Sequence, residues 1–134
     1  MNKVTRASLA VSSIDDEGWG IGCELYKKDD DGVYPYHIFS LHLSRTDFPS
    51  VRRIIYYMIP VVLNAVREED TLVRFYGNFS YFGNNRHELA RKAGIYAAGK
   101  HVSFHKTPAT ASGNALLLAQ DAIARKTDIE ERLD

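Results

Sequence analysis

The chain has 134 residues, one domain's worth, and a chain of this length can bury roughly two-thirds of the surface its unfolded form exposes. Its 45% apolar, 25% charged and 11% aromatic content is that of an ordinary globular protein, far from disordered or collagen-like composition. Seventeen Lys/Arg balance seventeen Asp/Glu, and this neutrality argues against both a bulk-charge nucleic-acid coat and an acidic mimic of DNA.

Arg6 to Ser13 alternate, with Ala7, Leu9 and Val11 on one face and Ser8, Ala10 and Ser12 on the other, which predicts a first strand. "IDDEG" turns the chain. Trp19, Ile21, Cys23 and Leu25 alternate in a second strand, "KKDDDG" supplies a hairpin turn, and "VYPYHIFSLHLS" reads as a third strand with Pro35 at an edge or at its beginning. A long helix is expected from about Phe48 to Glu69, because Val51, Ile54, Ile55, Met58, Val61, Val62, Ala65 and Val66 make one apolar stripe. Thr46 or Asp47 would cap it, and Pro60 would kink it.

"TLVRFYG" predicts a fourth, central strand. Asn85 to Glu88 has the spacing of a capping box and opens a helix that ends near Gly94 or Gly99. His101 to His105 form a fifth strand. Ser112 or Asn114 starts the last helix, whose apolar face is Ala115, Leu118, Ala119, Ala122 and Ile123. Residues 127–134 are a charged tail, expected as frayed helix or disorder, and residues 1–134 are expected to be one domain.

The single Cys23 precludes an internal disulfide and a cysteine-based zinc site, and is expected to be a buried apolar residue. A reducing, cytoplasmic setting with no membrane span is the expectation, since no apolar run is long enough for one. Charge is uneven along the chain. Met1 to Val73 holds eight Lys/Arg against eleven Asp/Glu, whereas Arg74 to Lys106 holds six against Glu88 alone.

In this order, an antiparallel meander precedes crossover units that demand parallel pairing. That order, the segment Gly18-Trp19-Gly20-Ile21-Gly22, and a loop led by His105 and closed by Gly113-Asn114 before a helix together resemble the ribonuclease H-like fold. The resemblance implies an α/β domain with a five-stranded mixed sheet (βββαβαβα), strand order 3-2-1-4-5, flanked by helices. It also implies a two-metal hydrolytic site built from converging carboxylates. The positions that match those carboxylates carry Ser12 or Ser13, Arg52 or Arg53, Tyr76 to Asn78, and Leu118.

The resemblance therefore points to a degenerate active site with no metal and no cofactor, and to a binding module rather than an enzyme. A relocated metal set of Asp15 or Asp16, Asp47 and Asp121 is the alternative that keeps a divergent metal-dependent nuclease open. Among the histidines, His101 and His105 share a strand face and make the best pair for a metal; the bland reading is two partly exposed histidines. The segment "FYGNFSYFGNNRHELARK" interleaves aromatic and basic residues, the pattern of single-stranded nucleic-acid binding, although about half of its aromatics must be core. Arg74, Arg86, Arg91, Lys100, His105 and Lys106 are the expected phosphate-side groups and Tyr81 and Phe82 the stacking ones. A protein-protein adaptor or inhibitor, of the kind a phage or plasmid encodes to occupy a host machine, is the second expectation, because tyrosines are enriched at interfaces.

Overall fold

The computed structural model describes residues 3–14, 18–83, 86–95, 97, 99–108 and 113–133, with the backbone alone at positions 14 and 86. Strands β1 (Val4–Ile14), β2 (Gly18–Asp29) and β3 (Gly32–Leu43) form an antiparallel meander. Helix α1 (Val51–Ala65) leads to β4 (Leu72–Gly77), which pairs parallel to β1. A short 3-10 turn (Ser80–Phe82) and α2 (Arg86–Gly94) connect to β5 (His101–Lys106), parallel to β4; α3 (Gly113–Arg125) and β6 (Ile129–Arg132) follow. The result is an α/β domain with a mixed sheet of order β5-β4-β1-β2-β3-β6.

Six strands stand where five are expected, and the sixth comes from the segment read as a frayed tail. Four exposed residues, Ile-Glu-Glu-Arg, show neither alternation nor an apolar face, so their sequence carries no strand signal. What orders them is contact with β3: Phe39 pairs with Glu130, and the His37 Nε2 lies 2.8 Å from the Glu130 carboxylate. Asp128 accepts a bond from the His42 amide at 2.7 Å, and Arg125 reaches the Ser40 carbonyl at 3.2 Å. β6 pairs with His37 to Ser40, so Pro35 lies on a stretch of β3 outside that pairing, opposite Tyr26 of β2.

Helix α1 begins later than its stripe suggests. Pro49 disfavours helical geometry in Phe48, and Ser50 caps the helix by accepting from the Arg53 amide at 3.3 Å. Asp47, one of the two expected caps, instead sits in a turn with Ser44, whose Oγ donates to its carboxylate at 3.2 Å. The helix ends at Ala65 rather than Glu69 and runs through Pro60 as one element. Its apolar side, Ile54, Ile55, Met58, Ile59 and Val62, packs in one core with Ala7, Leu9, Ile21, Cys23, Leu25 and Phe75. Leu89 and Ala93 of α2 extend that core over Phe104 and Phe82. Burial pushes the Cys23 thiol far above its ordinary pKa, with the Glu24 charge adding to the effect, so it stays an inert apolar group.

The opposite face is built on closeness. A Cβ at Gly20 would lie 2.0 Å from the Ala119 carbonyl oxygen, and one at Gly22 would lie 1.8 Å from that of Ala115. These two glycines and the buried Ala115, Ala119 and Ala122 let the α3 backbone rest directly on β2. Ser40 adds a hydrogen bond to the Leu118 carbonyl at 2.6 Å. Helix α3 lies over β2, with β1 and β3 on either side.

At the end of the sheet where β1 and β4 begin, a polar network is buried. Asp70 is 1% exposed; its carboxylate accepts from Lys27 Nζ at 2.5 Å and from Thr5 Oγ1 at 2.6 Å. Thr5 also lies 2.8 Å from the Tyr36 hydroxyl, and Tyr36 is 1% exposed. A register shift between Leu25 and Tyr26 brings Tyr36 here: Leu25 pairs with His37 and Tyr26 with Pro35, leaving Tyr36 as the extra residue of a bulge. Burial raises the Tyr36 pKa, against the opposing hydrogen bonds from Thr5 and the Arg67 amide.

Removing one partner of a buried ion pair strands the other, at a cost of about 3–5 kcal/mol, whereas replacing both by apolar groups is often neutral. Asp70→Leu and Lys27→Met are each expected to destabilise by that amount in urea unfolding, and the double variant to recover most of the loss. A double variant no more stable than the worse single one contradicts the assignment. Gly22→Ala is expected to unseat α3, read as a drop in the unfolding midpoint and loss of amide protection along Ala115 to Ile123; unchanged protection refutes the contact.

Candidate functional site

Strand parity places two kinds of residue on the two faces of β4 and β5. Val73, Phe75 and Phe104 point into the core, so Arg74, Tyr76, Ser103 and His105 point the other way, onto the face where, among the described residues, α3 packs chiefly on β1 to β3. The register extends this face into two rows. Ser103, Arg74, Arg6 and Tyr26 lie side by side across β5, β4, β1 and β2, and His105, Tyr76, Ser8 and Glu24 form the next row. With strands about 4.8 Å apart, each row spans about 14 Å.

The side chains in these rows are connected. Arg6 donates to the Tyr76 hydroxyl at 2.7 Å, and its guanidinium lies 5.8 Å from the centre of that ring. The Tyr76 and His105 rings stack at 5.1 Å with an interplanar angle of 24°, and Ser103 Oγ lies 2.8 Å from His105 Nε2. Arg74, His101, Ser103 and His105 line a groove of about 540 Å³ along β4 and β5. His101 and His105 are exposed, Arg6, Arg74 and Tyr76 half-buried. Glu24, the acidic member, accepts from the Asn114 side-chain amide at 3.1 Å. What results is a hydrogen-bonded aromatic surface with two arginines and two histidines.

The expected site residues divide. Arg74 and His105 fall on this surface. Phe82 does not: it is 1% exposed, its ring 5.3 Å from Phe104 and 5.1 Å from Phe79, and a ring so enclosed has no face to offer a base. Lys100 is occupied in the fold, donating to the carbonyls of Arg67 at 3.1 Å and Glu68 at 3.2 Å and to that of Asp70. Tyr81 is half-buried on the far side of the sheet, with the Arg52 guanidinium 5.7 Å from its ring centre. Arg91 is exposed on α2 and Lys106 exposed at the end of β5. The Arg86 side chain and the Asn85 capping position lie outside the described residues.

His101 and His105 share a face, but four residues of strand separate them by about 13 Å, too far for two imidazoles to bind one ion. Among the described residues no three His, Cys, Asp or Glu side chains come together around a point that could hold a metal. Asp47 is held in its turn with Ser44, and Asp121 is exposed on α3. Asp15 and Asp16 lie outside the described residues. The crevice at the carboxyl ends of β1 and β4 is lined by Ser13, Trp19, Asn78, Phe79, Ser80 and Tyr81 among others, with no carboxylate among the described lining residues. Arg52, near the expected acid position, forms a two-pronged ion pair with Glu88, both distances 2.9 Å.

Sequence reasoning passed over Arg6, Tyr26 and Tyr76 as members of one surface. Parity gave the means to find them: Arg6 and Ser8 alternate with buried Thr5 and Ala7, and Arg74 and Tyr76 alternate with Val73 and Phe75. What parity lacks is which strands lie side by side. No helix among the described residues is long and apolar enough to cross a membrane. Comparison with protein-family models, with curated proteins and with solved structures finds no match.

Lys100→Met removes three charge-assisted bonds to carbonyls of the α1–β4 connection. The expected loss is about 1–3 kcal/mol of stability with no change in ligand affinity, measured by urea unfolding beside a binding titration. A variant of full stability and weakened binding reverses the assignment.

Proposed function

We propose that the protein is a non-catalytic, ribonuclease H-like binding module whose ligand is single-stranded nucleic acid, held on the half of the sheet that α3 leaves uncovered. The observation that carries this reading is the pair of rows containing Arg6, Arg74, Tyr26, Tyr76 and His105. Rings on an open sheet offer faces for unpaired bases, and guanidinium groups beside them offer bidentate partners for phosphate. A neutral chain suits a ligand met by one local basic surface rather than by overall charge.

The ribonuclease H-like part of the proposal is supported by the central order β3-β2-β1-β4-β5, with β2 antiparallel and β4 and β5 parallel to β1. The non-catalytic part is supported by the residues at the crevice between β1 and β4, where Ser13, Asn78 and the paired Arg52 occupy the expected acid positions. A second reading, a protein-protein adaptor, is favoured by one place: Ile95, 77% exposed, beside a small depression it shares with Tyr56, Ile59 and Lys92.

The test is fluorescence anisotropy of labelled single-stranded DNA and RNA across a salt series. Arg6→Ala and Arg74→Ala are each expected to reduce the slope of log affinity against log salt by roughly 0.7, and Tyr76→Ala to cost about 1–3 kcal/mol of binding. No binding at low salt, or binding indifferent to all three substitutions, overturns the proposal.

A further inference from the structure

Resting on the open-face reading, we infer that the surface is selective for base, and that the Glu24 carboxylate seats a guanine at the β2 end of the rows by accepting from its N1–H and N2–H groups. Glu24 ends the row His105, Tyr76, Ser8, Glu24. There the sheet meets the start of α3 in a depression of about 320 Å³, lined among others by Ser8, Glu24, Tyr26, Lys28, Val33 and Asn114. That volume lies at the small end of the range for small-molecule sites, the size for one base rather than a length of chain.

The walls suit a flat ligand. Tyr26 is half-buried and Val33 exposed, so a ring and an aliphatic side chain flank the carboxylate. Two strand spacings, about 10 Å, separate Glu24 from Tyr76, so a base at the one and a base stacked on the other belong to one short stretch of strand.

Charge and hydrogen-bonding type then select the base. A carboxylate on a surface for nucleic acid repels phosphate, and it accepts hydrogen bonds without donating any. What is seated against Glu24 must therefore bring donors. The Watson–Crick edge of guanine presents two neighbouring donors, N1–H and the N2 amino group, at the spacing of two carboxylate oxygens. Adenine and cytosine set a ring-nitrogen acceptor beside their amino group, and thymine or uracil flanks its single N–H with carbonyls, so each of them points an acceptor at the carboxylate. Asn114 Nδ2 donates to Glu24 Oε2 at 3.1 Å, which orients the carboxylate and fills one of its roughly four acceptor sites. Lys28 on the same lining keeps the depression from being acidic as a whole.

The test is anisotropy of a labelled oligothymidylate and of the same strand with its central base changed to guanine, adenine, cytosine or hypoxanthine. The guanine strand is expected to bind about tenfold tighter than the thymine, adenine and cytosine strands, within what one bidentate contact to a base discriminates. Hypoxanthine, which keeps N1–H and lacks the N2 amino group, is expected to lose most of that gain. Glu24→Gln keeps the size of the side chain and an acceptor for Asn114, and is expected to abolish the guanine preference while binding oligothymidylate at least as well as the unaltered protein. Equal affinity for all five strands overturns the guanine inference and leaves the open-face reading standing, whereas no binding of any strand removes both. A guanine preference that survives Glu24→Gln also overturns the assignment, because the selecting group then lies elsewhere.

Discussion

A carboxylate cannot be enclosed in a protein without partners, and Asp70 is enclosed almost completely. Meeting that requirement draws in one residue from each strand of the meander: Thr5 from β1, Lys27 from β2 and, through the Thr5 hydroxyl, Tyr36 from β3. Asp70 itself stands just before β4. Four strands are therefore held at one end by a set of directional bonds, and the bulge in β3 exists at the point where Tyr36 must turn inward. Lys100, bonded to the Asp70 carbonyl among others, ties the start of β5 to the same place. The register of the whole sheet follows from this end, and with it which side chains face which way.

Register matters because the two faces are covered unequally. The side that meets α1 and α2 is filled with aliphatic and aromatic residues. Among the described residues the other side meets α3 alone, and Gly20 and Gly22 draw that helix so close to β2 that it shelters the meander and leaves β4 and β5 to the rows of Arg6, Arg74, Tyr76 and His105. A one-residue slip at the Asp70 end would exchange the faces, turning Arg74 and Tyr76 into the core and Phe75 out of it. The proposed binding surface and the hydrophobic core are thus set by the same constraint.

Much of this was legible in the sequence where the period was clean. The alternation of Ala7, Leu9 and Val11 gave the strand and the stripe through α1 gave the helix, though not its ends, because burial on one face leaves a pattern of its own. β6 was not legible: Ile129 to Arg132 are all exposed, and only the His37, His42 and Ser40 contacts across the chain order them. The start of α1 was misplaced because a serine cap after Pro49 overrode an apolar residue at Phe48. Phe82 and Lys100 looked like ligand groups by type, and contacts made far along the chain absorbed both into the fold. Arg74 and His105 were legible by type and position, but their neighbours on the surface come from β1 and β2, more than forty residues away.

The central claim is that the uncovered half of the sheet is where single-stranded nucleic acid sits. It is tested most directly by amide chemical-shift mapping of the labelled protein as an oligonucleotide too short to wrap the domain is added at low salt. The account predicts shifts concentrated at Arg6, Ser8, Tyr26, Arg74, Tyr76, Ser103 and His105, with α1 and β6 unmoved. Shifts confined to α1, α2 or β6, or none at saturating oligonucleotide, would contradict it.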